Sequence, residues 1–204
     1  LAKQYKENWH IGTSIKYINS NYTQYKSSGL AIDFGLNFTD TSNQLQIAFV
    51  VKNMGIQLKS YDGLNKQELP FDVQLGITKK LSKAPLQFSL VAHHLQNQNI
   101  FYNDTTFNIQ EGNEEFRTSS QTLEKIFSHL ILSSQLFLNE KIELTTGYNF
   151  LKRQELNVYN SVNGLNGFSF GLGLILKKFQ FRYSSGFYQK NMYQHVGLNF
   201  SLKT

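Results

Sequence analysis

The stretch Leu30–Phe38, with the sequence LAIDFGLNF, alternates apolar and polar residues without a break. Apolar side chains stand at every even position, and Ala, Asp, Gly and Asn stand between them. Because successive side chains of a β-strand point to opposite faces, a period of two indicates a strand with one apolar and one polar face. Four later stretches repeat the pattern clearly, and they begin near Phe71, Ile142, Phe168 and Val196.

The alternation predicts an all-β chain that forms one domain over residues 1–204. No stretch shows a convincing helical period, although residues 119–126 are compatible with a short helical turn. The predicted strands number ten and cover residues 8–19, 28–39, 44–53, 69–81, 85–95, 127–138, 141–151, 167–177, 179–188 and 192–203.

The predicted connections differ in length in a regular way. Tight turns are expected at residues 40–43, 82–84, 139–140 and 178, and a short last connection at 189–191. The other connections are longer and cover residues 20–27, 54–68, 96–126 and 152–166. Short turns at one end and long loops at the other are typical of outer-membrane β-barrels.

The polar faces of the strands favour a membrane barrel over a soluble barrel or sandwich. They carry mostly Gly, Ser, Thr, Asn and Gln and few formal charges, as suits a lumen. Predicted strands of ten to twelve residues match the length that a tilted strand needs to cross a bilayer. Aromatic residues near strand ends, such as Trp9, Tyr17, Phe38, Tyr148 and Phe187, fit interfacial girdles. The fold prediction is therefore an antiparallel transmembrane β-barrel.

Composition and charge exclude several classes of protein. The absence of Cys excludes a disulfide framework, and 14% aromatic residues exclude disorder. The longest apolar run, Ile47–Val51, is far too short for a spanning helix. The net charge of +6 is scattered, so nucleic-acid binding is not favoured.

No arrangement of residues predicts an enzyme, a metal site or a cofactor. The five His residues are scattered, and His93 and His94 are expected on opposite faces of one strand. Gly171-Leu172-Gly173 lies within a predicted strand and is therefore not a phosphate loop. No nucleophile elbow of the G-x-S-x-G type is present.

Five charged residues fall on the predicted lumen-facing positions. Lys16, Asp33 and Lys52 lie on three consecutive strands, where hairpin geometry can bring them level, and Glu143 and Arg182 share that face elsewhere. An internal ion-pair network that braces the barrel is one interpretation. A pathway for a ligand or an ion is the other.

The longest predicted loop, residues 96–126, mixes aromatic and acidic side chains. A loop of this length is often functional, and this mixture suits a contact with another protein. The alternative is an ordinary solvated surface loop. The candidate contact residues are Phe101, Tyr102, Phe107, Glu111, Glu114, Glu115 and Phe116.

Short motifs along nearly the whole chain resemble the PorV/PorQ family of barrels from the type IX secretion system. In the first half they are Ser28–Asn37, Val51–Gly55 and Leu69–Phe71 leading into Leu75-Gly76. In the second half the resemblance is to the PorQ-like members. It is carried by His129, Gly147–Asn149, Lys152–Leu156, Asn166–Gly171, Lys178–Phe181 with Tyr183, and Leu198–Phe200.

The resemblance implies a barrel of the fatty-acid-transporter type with about fourteen strands. The chain starts at Leu1 without an initiating Met or a secretory signal, so we expect it to be the C-terminal part of a longer barrel. Family members sit in the bacterial outer membrane, with strand termini in the periplasm and long loops outside. The resemblance implies a non-enzymatic membrane anchor in the attachment complex for protein secretion, with the surface protein PorZ and possibly PorU and PorV as partners. A channel for hydrophobic ligands is the alternative function.

Overall fold

The computed structural model describes residues 1–23, 25–61, 66–98, 100, 121–139, 141–156, 164–176, 178–189 and 191–200. Eleven antiparallel strands form one sheet, and their order in the sheet follows the chain. Two short helices complete the regular structure that is described. The strands are β1 (Ala2–Lys6), β2 (Trp9–Tyr22), β3 (Tyr25–Asp40), β4 (Leu45–Lys59), β5 (Asp72–Lys80), β6 (Leu86–Ala92), β7 (Leu130–Leu138), β8 (Ile142–Asn149), β9 (Phe168–Ile175), β10 (Phe179–Tyr188) and β11 (Asn191–Phe200). The helices are α1 (Gln121–Ser128) and α2 (Phe150–Glu155).

The all-β class predicted from the sequence is confirmed, and the predicted number of strands is one too low. The additional strand is β1, which pairs with the start of β2 from Ala2↔Gly12 to Lys6↔Trp9. The sheet is not closed, because its order runs from β1 to β11 and no pairing among the described residues joins these two edges.

The chain forms two compact units. Unit 1 comprises residues 1–78 and 92–96, and unit 2 comprises residues 79–91 and 97–204. Each unit is described by itself below.

Unit 1 is built on three long strands of 14, 16 and 15 residues, β2, β3 and β4. The pairing of β2 with β3 is unbroken from Trp9↔Phe38 to Tyr22↔Tyr25. The prediction of a long connection over residues 20–27 is therefore wrong, since only residues 23–24 separate the two strands. Polar residues such as Ser20 and Asn21 read as loop in the sequence, but the neighbouring strand supplies their backbone with hydrogen bonds.

Unit 2 contains shorter strands of 8 to 10 residues, β8 to β11. Helix α1 lies where the sequence allowed a helical turn, whereas α2 was not predicted. Asn149 caps α2, because its side-chain oxygen accepts a hydrogen bond of 3.0 Å from the Lys152 backbone N–H. Phe150 continues the alternation of β8, so the predicted strand extends to residue 151, over residues that begin a helix.

The connections keep part of the regularity that the sequence predicted. After β1, β3, β5, β7 and β9 the chain turns within two to five residues. The long connections, at residues 60–71, 93–129 and 150–167, all follow even-numbered strands. In an antiparallel sheet alternate connections share an end, so within each unit the long connections lie at the end opposite to these turns. The short β2–β3 and β10–β11 connections lie at the same end as the long ones.

The described residues contain almost no apolar core. Only three hydrophobic residues are buried among them, Ala31, Leu151 and Leu156. In each unit the apolar face of the strands is exposed instead, with Ile15 at 75% exposure in unit 1 and Phe200 at 69% in unit 2. No helix in the described part of the chain is long and apolar enough to cross a membrane.

Candidate functional site: the polar faces of the two units

The polar face of unit 1 holds an ion pair between Lys16 on β2 and Asp33 on β3. The Lys16 Nζ lies 2.5 Å from Asp33 Oδ2. The Ser14 hydroxyl donates to the same oxygen at 3.2 Å. The other oxygen, Oδ1, accepts a hydrogen bond of 2.9 Å from the Asn53 backbone N–H. The Lys16 ammonium also donates to Asn53 Oδ1 at 3.1 Å, so three strands meet at this group.

A β-bulge explains why Asn53, and not Lys52, completes this cluster. The pairs Ile32↔Met54 and Phe34↔Val51 leave two residues of β4 opposite the single residue Asp33. The extra residue turns the backbone, and Asn53 adopts a φ of 55°, a conformation that Asn accepts more readily than most residues. Lys52 is half-buried and forms no ion pair with any described residue.

Two amide side chains tie the segment before β5 to the β3–β4 hairpin. Asn53 Nδ2 donates to the Pro70 carbonyl at 2.8 Å. The buried Gln57 donates to Ser27 Oγ at 2.7 Å and accepts from the Gln67 backbone N–H at 2.6 Å. These bonds hold the returning chain along β4.

A groove of about 550 Å³ lies between β4 and this returning segment. Its walls combine apolar side chains with three amides and two charged residues. The lining residues are Asn53, Met54, Gly55, Ile56, Gln57, Lys66, Gln67, Glu68, Leu69 and Phe71.

A second group of polar side chains in unit 1 lies at the start of β5. Asp72 Oδ1 accepts from the His94 backbone N–H at 2.7 Å, and His94 Nδ1 lies 3.4 Å from the same atom. The rings of His93 and His94 lie edge to face with centroids 4.8 Å apart. The prediction that they point to opposite faces of a strand is wrong, because β6 ends at Ala92 and His94 has a φ of 54°. No group of described residues could hold a metal ion.

The polar face of unit 2 is built around the buried carboxylate of Glu143 on β8. Gln135 Nε2 donates to Glu143 Oε1 at 2.7 Å, and the Thr145 hydroxyl approaches the same atom at 3.3 Å. Arg182 Nη2 on β10 lies 3.7 Å from Glu143 Oε2. Gln87 on β6 extends the row, since its amide donates to Gln135 Oε1 at 2.6 Å.

A glycine on the strand between them lets Glu143 and Arg182 meet. Glu143, Gly173 and Arg182 stand level on β8, β9 and β10. A Cβ atom on residue 173 would lie 3.2 Å from Glu143 Cβ and 3.5 Å from its Oε2. Glycine therefore leaves the space through which the carboxylate reaches the guanidinium.

Helix α2 is attached to the same face through Tyr193 on β11. The Tyr193 ring covers Gly186 of β10, the buried residue opposite it. Lys152 of α2 donates to the Tyr193 hydroxyl at 3.4 Å, and its ammonium lies 5.4 Å from the ring centroid. Both contacts draw the start of α2 toward the polar side of the strands.

The structure thus brings together four of the five charged residues singled out in the sequence, as one pair in each unit. Lys52 is not part of either pair. The seven candidate contact residues, Phe101, Tyr102, Phe107, Glu111, Glu114, Glu115 and Phe116, lie outside the described residues.

Sequence reasoning missed Asn53, Gln57, Gln135 and Tyr193. Only Asn53 had a visible signal. Apolar residues alternate through Ile47, Phe49 and Val51 and then continue at Met54, one residue out of phase. Such a slip in a period of two is the pattern that a bulge produces.

In comparisons with known proteins, no family model, no curated protein and no solved structure matches the chain.

Proposed function

We propose that this chain is a large part of a non-enzymatic outer-membrane β-barrel that anchors other proteins at the cell surface. The observation that carries the proposal is the inverted arrangement of the two faces. In each unit the apolar side chains are exposed, whereas Ala31 and Glu143 on the polar faces are only 1% and 7% exposed. An apolar surface of this extent is untenable in water and is expected where lipid surrounds the sheet.

The height of the apolar face supports the same proposal. In unit 1 it runs along β2 from Trp9, whose ring lies 5.0 Å from Phe38, to Tyr17. In unit 2 it runs along β10 from Phe179, whose ring lies 5.3 Å from Phe200, to Phe187. Each pair of limits is eight residues apart, which is about 27 Å along a strand. A strand tilted by about 40° spans about 21 Å of the bilayer over that length, which is close to the apolar band of roughly 25 Å, bordered by aromatic residues, that outer-membrane barrels present to lipid.

In lipid surroundings the sheet would have to close into a barrel. Backbone N–H and C=O groups at the edges β1 and β11 would be too costly to leave unpaired in hydrocarbon. We therefore propose that both edges are paired in the membrane. The barrel of about fourteen strands implied by the PorV/PorQ resemblance would contain these eleven.

The anchoring role rests on that resemblance and on the long connections. The connections at residues 60–71, 93–129 and 150–167 follow even-numbered strands, which puts them at the end proposed to face outward. By the resemblance, the partners are the attachment-complex proteins PorZ, PorU and PorV of the type IX secretion system. The candidate contact loop at residues 101–116 belongs to the longest of these connections.

Affinity purification of the protein from mild-detergent extracts of outer membranes tests this function. We expect the chain to stay with the membrane after washing with alkaline carbonate and to co-purify with a large surface protein in stoichiometric amount. Release by carbonate would contradict the barrel. Recovery without any partner would contradict the anchor.

The second candidate function, a channel for hydrophobic ligands, has one observation in its favour. The groove beside β4 is large enough for part of an extended apolar chain, and Met54, Ile56, Leu69 and Phe71 line it.

A loop replacement separates the two functions. Residues 103–115 are exchanged for a Gly/Ser segment of equal length, and turn 41–44 is exchanged in the same way as the control. An anchor loses its partner in the first variant alone and keeps its place in the membrane. A channel loses uptake of a hydrophobic ligand instead, and its set of co-purified proteins does not change.

A further inference from the structure

Helix α1 of unit 2 has an apolar face that is about half exposed. Leu123, Ile126 and Phe127 are 57%, 54% and 44% exposed. Their spacing of three and four residues puts them on one side of the helix. Lys125 lies on the opposite side, which makes the helix amphipathic despite its eight residues.

This apolar face continues into the exposed apolar face of the strands through a chain of aromatic rings. The Phe127 ring lies 5.2 Å from Phe150, and Phe150 lies 4.8 Å from Tyr148. Tyr148 lies 4.7 Å from Phe168, which stacks at 6.4 Å on Phe170. Tyr148, Phe168 and Phe170 belong to the apolar faces of β8 and β9, so α1 extends that surface beyond the ends of the strands.

The junction between α1 and β7 holds the end of the helix. Ser128 is fully buried, and its hydroxyl donates to the Lys125 carbonyl at 2.7 Å. The two ring nitrogens of His129 lie 2.7 Å from the Lys125 carbonyl oxygen and 2.9 Å from the Asn97 carbonyl oxygen. These contacts fix the end of α1 to neighbouring backbone, so the direction of its apolar face is set by unit 2 itself.

The size of the face distinguishes between a lipid surface and a protein partner. An aromatic side chain carries about 150–250 Å², so three half-exposed side chains that include Leu and Ile offer at most on the order of 300 Å². One side of a stable protein interface needs roughly 800 Å². Contact with a lipid boundary needs no such minimum area, because the helix would contact the lipid together with the strands beside it.

We infer that α1 is an interfacial helix, with Leu123, Ile126 and Phe127 placed in the boundary between lipid headgroups and acyl chains. The inference rests on the proposed membrane barrel. It adds a helix to the strands of unit 2 that contact the bilayer. Lys125 then faces water or the headgroups, as is usual for the polar side of such helices.

Quenching of tryptophan fluorescence by brominated lipids tests the inference on the full chain. Trp9 is the only Trp, so W9F provides a background without emission. On that background F127W and L123W report the apolar face of α1, K125W reports its opposite side, and L172W reports the middle of the apolar face of β9. Each protein is reconstituted in phosphatidylcholine vesicles whose lipids carry bromine either near the headgroup or deep in the acyl chains. Heat-dependent gel mobility identifies the variants that fold.

F127W and L123W are expected to lose about half of their emission with bromine near the headgroup, since an interfacial helix buries its apolar face about 5–10 Å into that boundary. K125W should lose little with either lipid, and L172W should be quenched most by deep bromine. Quenching of L172W without quenching of F127W and L123W would overturn the inference and leave the membrane barrel intact. Equal quenching of K125W and F127W would also overturn it. If L172W is not quenched, the membrane barrel fails and the inference fails with it.

Discussion

The two units make room for charge on their polar faces in different ways. Unit 1 bends its backbone, because the bulge opposite Asp33 turns Asn53 into the ion pair with Lys16. Unit 2 keeps a regular register and removes a side chain, since Gly173 leaves space between Glu143 and Arg182.

The two solutions expose their charges differently. The side chains of Lys16 and Asp33 are 40% and 21% exposed. In unit 2 the Arg182 side chain is 55% exposed, but that of Glu143 is only 9% exposed. A pair open to water contributes little to stability, but a buried carboxylate depends strongly on its hydrogen bonds. The stability of unit 2 should therefore be more sensitive to loss of a polar partner. The stability of unit 1 should be more sensitive to changes in the backbone next to its bulge.

The largest expected effect tests that sensitivity in unit 1. In Gly55→Ala the new Cβ atom would lie 2.6 Å from Ala31 Cα, a backbone atom that cannot move aside without opening the β3–β4 pairing. We expect the variant to lose about 3 kcal/mol or more of unfolding free energy. Urea unfolding in detergent, followed by Trp9 fluorescence, measures the loss because Trp9 lies in the same unit.

Gly35→Ala is the matched control for this experiment. It lies on the polar face of the same hairpin, and its Cβ atom would come no nearer than 4.0 Å to another atom. Equal losses in the two variants would refute the argument from close packing beside the bulge.

The next effect concerns the buried carboxylate of unit 2. Gln135→Leu removes the 2.7 Å hydrogen bond to Glu143 and leaves the carboxylate poorly satisfied. A cost of about 1–3 kcal/mol is expected. Adding Glu143→Gln should recover part of the loss, since a neutral amide is easier to leave without that donor. Strictly additive losses in the double variant, read from thermal unfolding, would show that the two side chains are not coupled.

A smaller effect is expected at the ion pair of unit 1. Asp33→Ala should cost about 1 kcal/mol, because Asp33 also accepts the Asn53 backbone N–H at the bulge. Lys16→Met should cost less, since it removes only an open charge pair and an amide contact. The heat resistance of the folded band on a gel compares the two variants. A larger loss of heat resistance in Lys16→Met than in Asp33→Ala would show that the charge pair provides the stability. The hydrogen bond from Asp33 to the bulge would then contribute little.

The smallest effect is expected at Tyr193. Tyr193→Phe loses a 3.4 Å contact with Lys152 but keeps the ring over Gly186, so stability should change by roughly 0.5 kcal/mol or less. Tyr193→Ala uncovers Gly186 and should lose clearly more stability in the same thermal unfolding measurement. Similar losses in both variants would mean that the hydroxyl, and not the ring, attaches α2 to the strands.

Much of the fold was predictable, because a period of two survives in the sequence wherever one face of a strand is apolar. The ten predicted strands coincide with β2 to β11, and the errors lie at their ends. Residues 20–27 are rich in Ser, Asn, Gln and Lys, so they read as loop although most of them continue β2 and β3. Residues 54–59 follow the slip in the alternation, so they also read as loop although they continue β4. Strand β1 was missed because its five residues are all exposed and depend on pairing with β2.

The candidate site was less predictable. Matching Lys16 to Asp33 needed only the alternation and a hairpin, and Glu143 and Arg182 needed only a shared face. Lys52 was a reasonable expectation for a regular strand, and the bulge replaced it with Asn53.

The sequence by itself determined the all-β class, the positions of ten of the eleven strands and which face of each is apolar, because these follow from side-chain period and residue type over a few neighbouring positions. Tertiary structure alone decided the register between strands, the hydrogen-bond partners of Gln135 and Gln57, and the attachment of α2 through Tyr193. Those features depend on atoms that lie far apart in the chain, as with Gln87 and Gln135, whose amides meet at 2.6 Å. A local pattern carries no information about such distances, because the pairing of the strands sets the distances. The pattern only makes that pairing possible.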